Sequence, residues 1–396
     1  MMLKIFSSTE KRYLNMLAFF MPLLLGLAMD MYVPSLPVIT DFYHTTINLV
    51  QLTVSMYMLG YGISQFITGI ISDAYGRKKC LLSMIALFII ASFAATVVDS
   101  IYYLNICRFA QGFAGGAFSV LARTIVVDVF TGKELKQTSN YLTLSWSIGP
   151  IIGPFIGSYL QSLFNWQANF YFFGIYALAL FIFALVKIPE TSNPNKRVKI
   201  TASLPKIKQV ISCLPFILVT IIHGFMYGGM IFWNGIAPFL LQTTLNYSAV
   251  QFGYIALVLG IIFFLGTVAN RLLMNKYSVN VLILSGIAIN LICSMLMLLL
   301  AFMFTLNLWI VLLPMMGIFF TSGIIIPNLM IKTMVLFPDI AGIASSVYGT
   351  FMGLTVFFVS CISSNLTITS QIPMATIYLI LFSISLILFP RKVKKH

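Results

Sequence analysis

The stretch from Cys107 to Asp128 reads CRFAQGFAGGAFSVLARTIVVD. It is mostly apolar and small, yet it carries Arg108 near one end and Arg123 and Asp128 at the other. A charge deep in an apolar helix is costly unless it is paired or faces a cavity, and such residues mark ion and proton paths. Asp30 is its counterpart, because it is the one acid of the nine that falls inside a long apolar run. A buried carboxyl whose charge is favoured by a guanidinium and disfavoured by burial is a protonation switch. Asp30 and Arg108 are therefore the candidate proton-coupling pair. The alternative for Asp30 is a place in the polar interface, close to Pro34 and Pro37.

Two glycine-rich motifs accompany the pair. Gly69-Ile-Ile-Ser-Asp73-Ala-Tyr-Gly76-Arg77-Lys78-Lys79 combines residues for a tight turn with an acid that can cap a helix end and three cations. Asp128, with Arg123 shortly before it, can join this cluster, and an ion-pair network at a helix junction stabilises one of two packings, as a gate requires. A generic polar turn is the simpler alternative. Gly149-Pro150-Ile-Ile-Gly153-Pro154-Phe-Ile-Gly157 spaces small residues by four and adds two prolines. Small residues let helices approach closely, and proline bends them, so packing and a bend at an interface are both expected here.

The elements that must position these residues are spanning helices. The chain has 396 residues, 60% of them hydrophobic and only 8% charged, with a mean hydropathy of +1.00. Water-soluble domains carry roughly 25% charged residues, so a soluble globule is excluded. A span needs roughly 20 mainly apolar residues. That rule predicts twelve, at about 13–38, 48–71, 80–98, 102–124, 138–161, 167–187, 213–241, 250–270, 280–302, 308–331, 341–365 and 371–390. The expected fold is an all-α membrane protein of two six-helix halves, 1–188 and 213–396, joined by a basic linker, 189–212, lying against lipid headgroups. No cleavable leader is expected, since the first apolar run is too long for one.

The net charge of +14 follows from the topology. With the N-terminus inside, 22 of the 23 Lys and Arg fall in inner connections or tails, and Arg108 alone does not. This is the positive-inside pattern, and it places both termini in the cytoplasm. It also removes any need for a nucleic-acid partner. Depth can be compared as well. Asp30 lies about 24 Å along the first span and roughly 6 Å below its outer edge, while Arg108 lies roughly 7 Å below the same edge at 1.5 Å per residue. The two are expected to face each other. An echo of Gly69, Arg77 and Lys78 in Gly266, Arg271 and Lys276 suggests related halves, as in some transporters.

The five cysteines (Cys80, Cys107, Cys213, Cys293, Cys361) have no disulfide or zinc spacing. No metal cluster, nucleophile–base pair or phosphate-cradling loop is visible, so neither an enzyme, a cofactor nor ATP as energy source is expected. His223, near mid-depth of the seventh span, is either a packing residue or a relay.

These motifs, with Arg108-Phe-Ala-Gln111-Gly112, resemble the major facilitator superfamily over essentially the whole chain. The turn at Gly69–Lys79 looks like its signature, and the Gly149–Gly157 run is similar to the motif of its antiporters. Arg123-Thr-Ile-Val-Val-Asp128, Phe337-Pro338 through Ser346 and Asp30-Met31-Tyr32 resemble the bicyclomycin/chloramphenicol-resistance branch of proton-driven drug exporters. The resemblance implies alternating access, a coupling proton on Asp30 supported by Arg108, and a monomer in a bacterial inner membrane. It also implies a cavity lined by spans 1, 2, 4, 5, 7, 8, 10 and 11. The candidate substrate contacts are then Tyr32, Tyr57, Tyr61, Gln111, Trp146, His223, Tyr227, Trp233, Asn234 and Asn328. Departures are Val127 and Gln167 where arginines are common, and Pro22 where some relatives have a second acid. The expectation is a drug:proton antiporter for small amphipathic compounds. Its alternatives are a dedicated exporter of one metabolite or siderophore and a proton-driven importer.

Overall fold

A computed structural model describes residues 6–192, 200–366 and 370–389. The basic residues Lys4, Lys196, Arg197, Lys199, Arg391, Lys392, Lys394 and Lys395 lie outside these segments. The described residues form twelve long helices: α1 Ser8–Phe42, α2 Ile47–Tyr75, α3 Arg77–Val97, α4 Ile101–Val129, α5 Gly132–Leu163, α6 Gln167–Lys187, α7 Leu214–Thr244, α8 Ala249–Leu273, α9 Val279–Met303, α10 Leu308–Met334, α11 Pro338–Ser363 and α12 Ile372–Leu388. Ten of these are long and apolar enough to cross a membrane unaided. The other two are α5, whose first turns are polar, and α12, which is 17 residues long.

The packing repeats with a shift of six helices. In the first half α1 packs on α5, α2 on α4 and α3 on α6; in the second, α7 packs on α11, α8 on α10 and α9 on α12. The halves meet through α2 against α11 and α5 against α8, pairs that exchange under the same shift. This is the two-bundle architecture expected from the hydropathy.

Cross-links define the two ends of the bundle. Lys11 of α1 pairs with Glu134 of α5 at 2.7 Å, Lys78 donates to the Leu185 carbonyl of α6, and Lys332 of α10 donates to Asn280 of α9. These contacts gather the start of α1, the α2–α3 and α4–α5 turns and the end of α6 at one pole, here called the basic end. At the far end Tyr43 donates to the Val98 carbonyl.

Four local features differ from the expectation. Helix α1 is longer than 13–38 and is broken. Its first segment, Ser8–Asp30, is followed by a 3-10 turn, Val33–Ser35, and a last segment, Leu36–Phe42. The break falls where Pro34 removes a backbone donor and Pro37 starts the next segment. The α2–α3 turn is a single residue, Gly76 at φ +101°, so Arg77, Lys78 and Lys79 belong to the first turn of α3. The linker contains a helix, Ile200–Ile211, whose Ile207 and Val210 are buried with Phe216, Phe337 and Val347. Its apolar stripe therefore docks on protein rather than only on headgroups, while Lys206 and Lys208 stay exposed. Finally, α7 ends in a π-helical segment, Phe239–Thr244.

Candidate functional site

The glycine–proline run of α5 seats α1 against it. A Cβ on Gly149 would lie 2.6 Å from the Gly26 carbonyl carbon, and one on Gly157 would meet the Met31 carbonyl. Only glycine permits this approach. Gly153 faces Met31 at ordinary van der Waals distance. The same run turns its other face, Pro150, Ile151 and Pro154, toward a cavity between the halves. The motif thus fixes the segment ending in Asp30 and forms a cavity wall beside it.

The cavity is walled by α1, α5, α7, α8 and α10. Asp30, Trp146, Tyr227, Trp233 and Asn234 line it, with Met29, Met230, Phe263 and Phe319. Asp30 is 3% exposed and accepts a 2.6 Å hydrogen bond from Asn234 Nδ2 of α7. The Trp146 and Tyr227 rings lie 5.6 Å apart across the interface. The cavity leaves about 60 Å³ for the centres of water-sized molecules, a few waters' worth when one needs about 10–15 Å³. Anything larger than a few waters would have to widen this space.

Arg108 is fully buried behind the α1 face of the cavity. It does not form the direct ion pair expected with Asp30; among the described residues no such bridge occurs. Its Nη1 instead donates to the Ala28 carbonyl at 3.1 Å and to Gln111 Oε1 at 2.8 Å. The break in α1 explains this. Ala28 lies in the last turn before the break, where carbonyls lack intrahelical partners and the helix dipole is negative. The guanidinium caps that end. It also lies 4.0 Å from the Tyr32 ring centre and 4.5 Å from that of Tyr57.

Several expected substrate contacts are therefore framework. Tyr32 and Tyr57 hold Arg108, and Tyr32 also bonds Thr53 at 3.0 Å. Gln111 links Arg108 to Ser92 of α3. Asn328 pairs with Asn270, joining α10 to α8. Tyr61 lies 3.4 Å from Ser119 Oγ, and His223 is buried against Tyr348 at 2.7 Å. None of these six lines the cavity. Trp146, Tyr227, Trp233 and Asn234 do.

The basic-end cluster divides in two. Arg77 contacts Asp73 at 2.5 Å, Asp128 at 3.1 Å and Ser72 Oγ at 2.7 Å, tying α3 to the ends of α2 and α4. Gly69 lets α2 approach Ser346 of α11, since a Cβ there would lie 2.9 Å from its Oγ. Arg123 does not join Asp128. It reaches Ser345 Oγ of α11 and Gln65 Oε1 of α2, both at 2.9 Å, and so ties the halves together.

Glu190 was not singled out from the sequence. Its Oε1 accepts from the Arg77 N–H at 2.9 Å and from Ser192, and its Oε2 accepts from the Lys78 N–H at 3.2 Å. Burial pushes its carboxyl up, but these backbone hydrogen bonds outweigh it and hold the group below the usual value. The available signal was that Gly76 supplies no capping side chain, so the start of α3 needs a partner from elsewhere.

Comparison with known proteins places this arrangement. The profile described as Major Facilitator Superfamily matches residues 18–360. A bicyclomycin resistance protein homolog of Haemophilus influenzae is 24% identical over 339 residues, 81% of each chain. Multidrug resistance protein D of Escherichia coli is 25% identical over 350 residues, 87% of this chain and 86% of that one. A crystal structure of a D-xylose–proton symporter superposes with a TM-score of 0.76 at 16% identity, over 97% of this chain and 98% of that one, which shows a common fold. A profile match over most of the chain, on twelve helices whose packing repeats in two halves around a central cavity, makes this membrane transporter a member of the major facilitator superfamily.

Proposed function

We propose that this transporter is a proton-coupled exporter of small amphipathic compounds, working as a monomer in a bacterial inner membrane with its basic end in the cytoplasm. One observation carries the reading: among the described residues Asp30 is the only acid on the wall of the central cavity, and beside Asn234 that wall is mainly aromatic, methionine and aliphatic side chains. Such a wall binds varied amphiphiles by dispersion and stacking, while a lone carboxyl exchanges a proton for them. The drug-resistance names of two relatives support the substrate class. The distribution of basic residues supports the orientation.

In this cycle substrate enters from the cytoplasmic side and Asp30 releases its proton there. The halves rock about the cavity, a proton from outside rebinds Asp30, and the substrate leaves. A charge moved through 100 mV supplies about 2.3 kcal/mol, and a tenfold gradient costs about 1.4 kcal/mol, so one proton supports useful accumulation. Arg108 stays compensated by the α1 end and keeps a positive potential behind Asp30 without neutralising it by contact.

The test is substrate-triggered proton release in proteoliposomes, read with an entrapped pH dye against cationic, neutral and zwitterionic compounds. Release by several unrelated compounds, lost in Asp30→Asn, is expected. A response to one compound alone would move the assignment to a dedicated exporter. Proton coupling that survives Asp30→Asn would overturn the mechanism.

A further inference from the structure

The hydrogen bond between Asp30 and Asn234 joins the two halves of the molecule. Asp30 ends the first segment of α1, and Asn234 sits about two-thirds of the way along α7. Its neighbours tie the same region to the first half. The Gly235 carbonyl accepts from Gln51 Nε2 of α2 at 2.8 Å, and Gln242 Nε2 donates to the Pro34 carbonyl at 2.8 Å. Ser55 of α2 and Ser360 of α11 lie 2.8 Å apart nearby. Of these four links toward the far end, only the Asp30–Asn234 bond contains an ionisable group. A carboxylate accepts only, so the amide must present its N–H₂, and that bond is charge-assisted. A protonated carboxyl makes a neutral and weaker bond.

Resting on the antiport reading above, we propose that Asn234 is the positioning residue that senses the proton on Asp30: it locks the empty, deprotonated carrier closed at the far end. Protonation weakens the lock, and a substrate in the cavity displaces the amide, so the loaded states reorient and the empty deprotonated state does not. That state is the one whose free movement would let substrate slip without a proton. The titratable groups that face Asp30 are Arg108 from α4, Tyr32 from α1, Tyr57 from α2 and Tyr227 from α7. The α5, α8 and α10 walls offer Trp146, Pro150, Phe263 and Phe319 and no titratable group.

The experiment measures downhill substrate efflux from proteoliposomes whose basic end faces outward, against pH, equal on both sides, for wild type, Asn234→Leu and Asn234→Ser. In this direction the empty carrier must reopen its far end to return, and in wild type it does so protonated, so efflux falls as pH rises. In Asn234→Leu the alkaline flux rises about tenfold or more, the effect of losing a hydrogen bond to a charged group, and the profile flattens. Asn234→Ser, a shorter donor, restores part of the slope, and it decides the matter if Asn234→Leu is inactive. A wild-type slope retained in either active variant would overturn the proposal. Wild-type efflux without proton release would instead overturn the antiport reading itself.

Discussion

At the residue scale, Arg108 is held by shape as much as by charge. Its planar guanidinium lies over two phenol rings while one nitrogen serves two acceptors. Lysine keeps the charge but has neither the plane nor the fork. Arg108→Lys is therefore expected to lower stability by about 1–2 kcal/mol through lost stacking and hydrogen bonding, measured by thermal unfolding in detergent. An unchanged melting temperature would show that the ring contacts contribute nothing. Sequence arithmetic found Asp30 and Arg108 because each is an anomaly in an apolar run. It placed them in contact because depth along two helices was the only coordinate available. The break in α1, which offers Arg108 a carbonyl instead, was signalled by Pro34 and Pro37 but not its geometry. Asn234 and Asp30 are neighbours across 204 positions of chain, and no spacing rule reaches that far.

At the element scale, the start of α3 depends on a group outside its own helix. Glu190 accepts the Arg77 and Lys78 N–H groups, so the end of α6 and the α2–α3 turn are coupled through one carboxylate. A side-chain cap contributes roughly 1 kcal/mol. Glu190→Gln should lower the melting temperature at neutral pH. The sign with pH follows from the depressed native value: the stabilisation is complete above the unfolded value of 4.5 and is lost as pH falls through the lower folded one. The gap between wild type and Glu190→Gln should therefore close in that acid window, as differential scanning fluorimetry would reveal. A constant gap would mean that the charge is irrelevant. On α5, Gly157→Leu should prevent α1 from seating, because even a Cβ meets the Met31 carbonyl. Loss of a monodisperse peak in size-exclusion chromatography is the expected readout. That motif was legible as a close-packing face. Which helix it packs against was not, since small residues at four-residue spacing carry no address.

At the scale of the whole molecule, the halves are joined at both ends along α2 and α11, and the ties differ in kind. At the basic end Arg123 reaches across to Ser345; toward the far end the links are amides, hydroxyls and one carboxyl. Arg123→Ala should loosen the basic end selectively. Spin labels at the exposed Val127 and Gly342, in a background without native cysteines, should give a longer and broader distance distribution. No shift would place the closing energy elsewhere along α2 and α11. The helix count and the two halves were readable from hydropathy and from the positions of the basic residues, because lipid imposes both. The asymmetry between halves was not: Asn270 stands four residues after Gly266 as Asp73 stands four after Gly69, yet it pairs with Asn328 instead of with cations.

The π-helical close of α7 bears on how such chains are aligned. An i→i+5 turn holds one residue more than an α turn. The offset builds up along Phe239–Thr244 and reaches about 100° by its end, relative to where an uninterrupted helix would leave the chain. Gln242, which reaches the Pro34 carbonyl, lies within this segment. A cousin lacking the extra residue presents a different side chain to that carbonyl even where the letters match, and a gap placed one position off will pair residues that never occupy the same point in space.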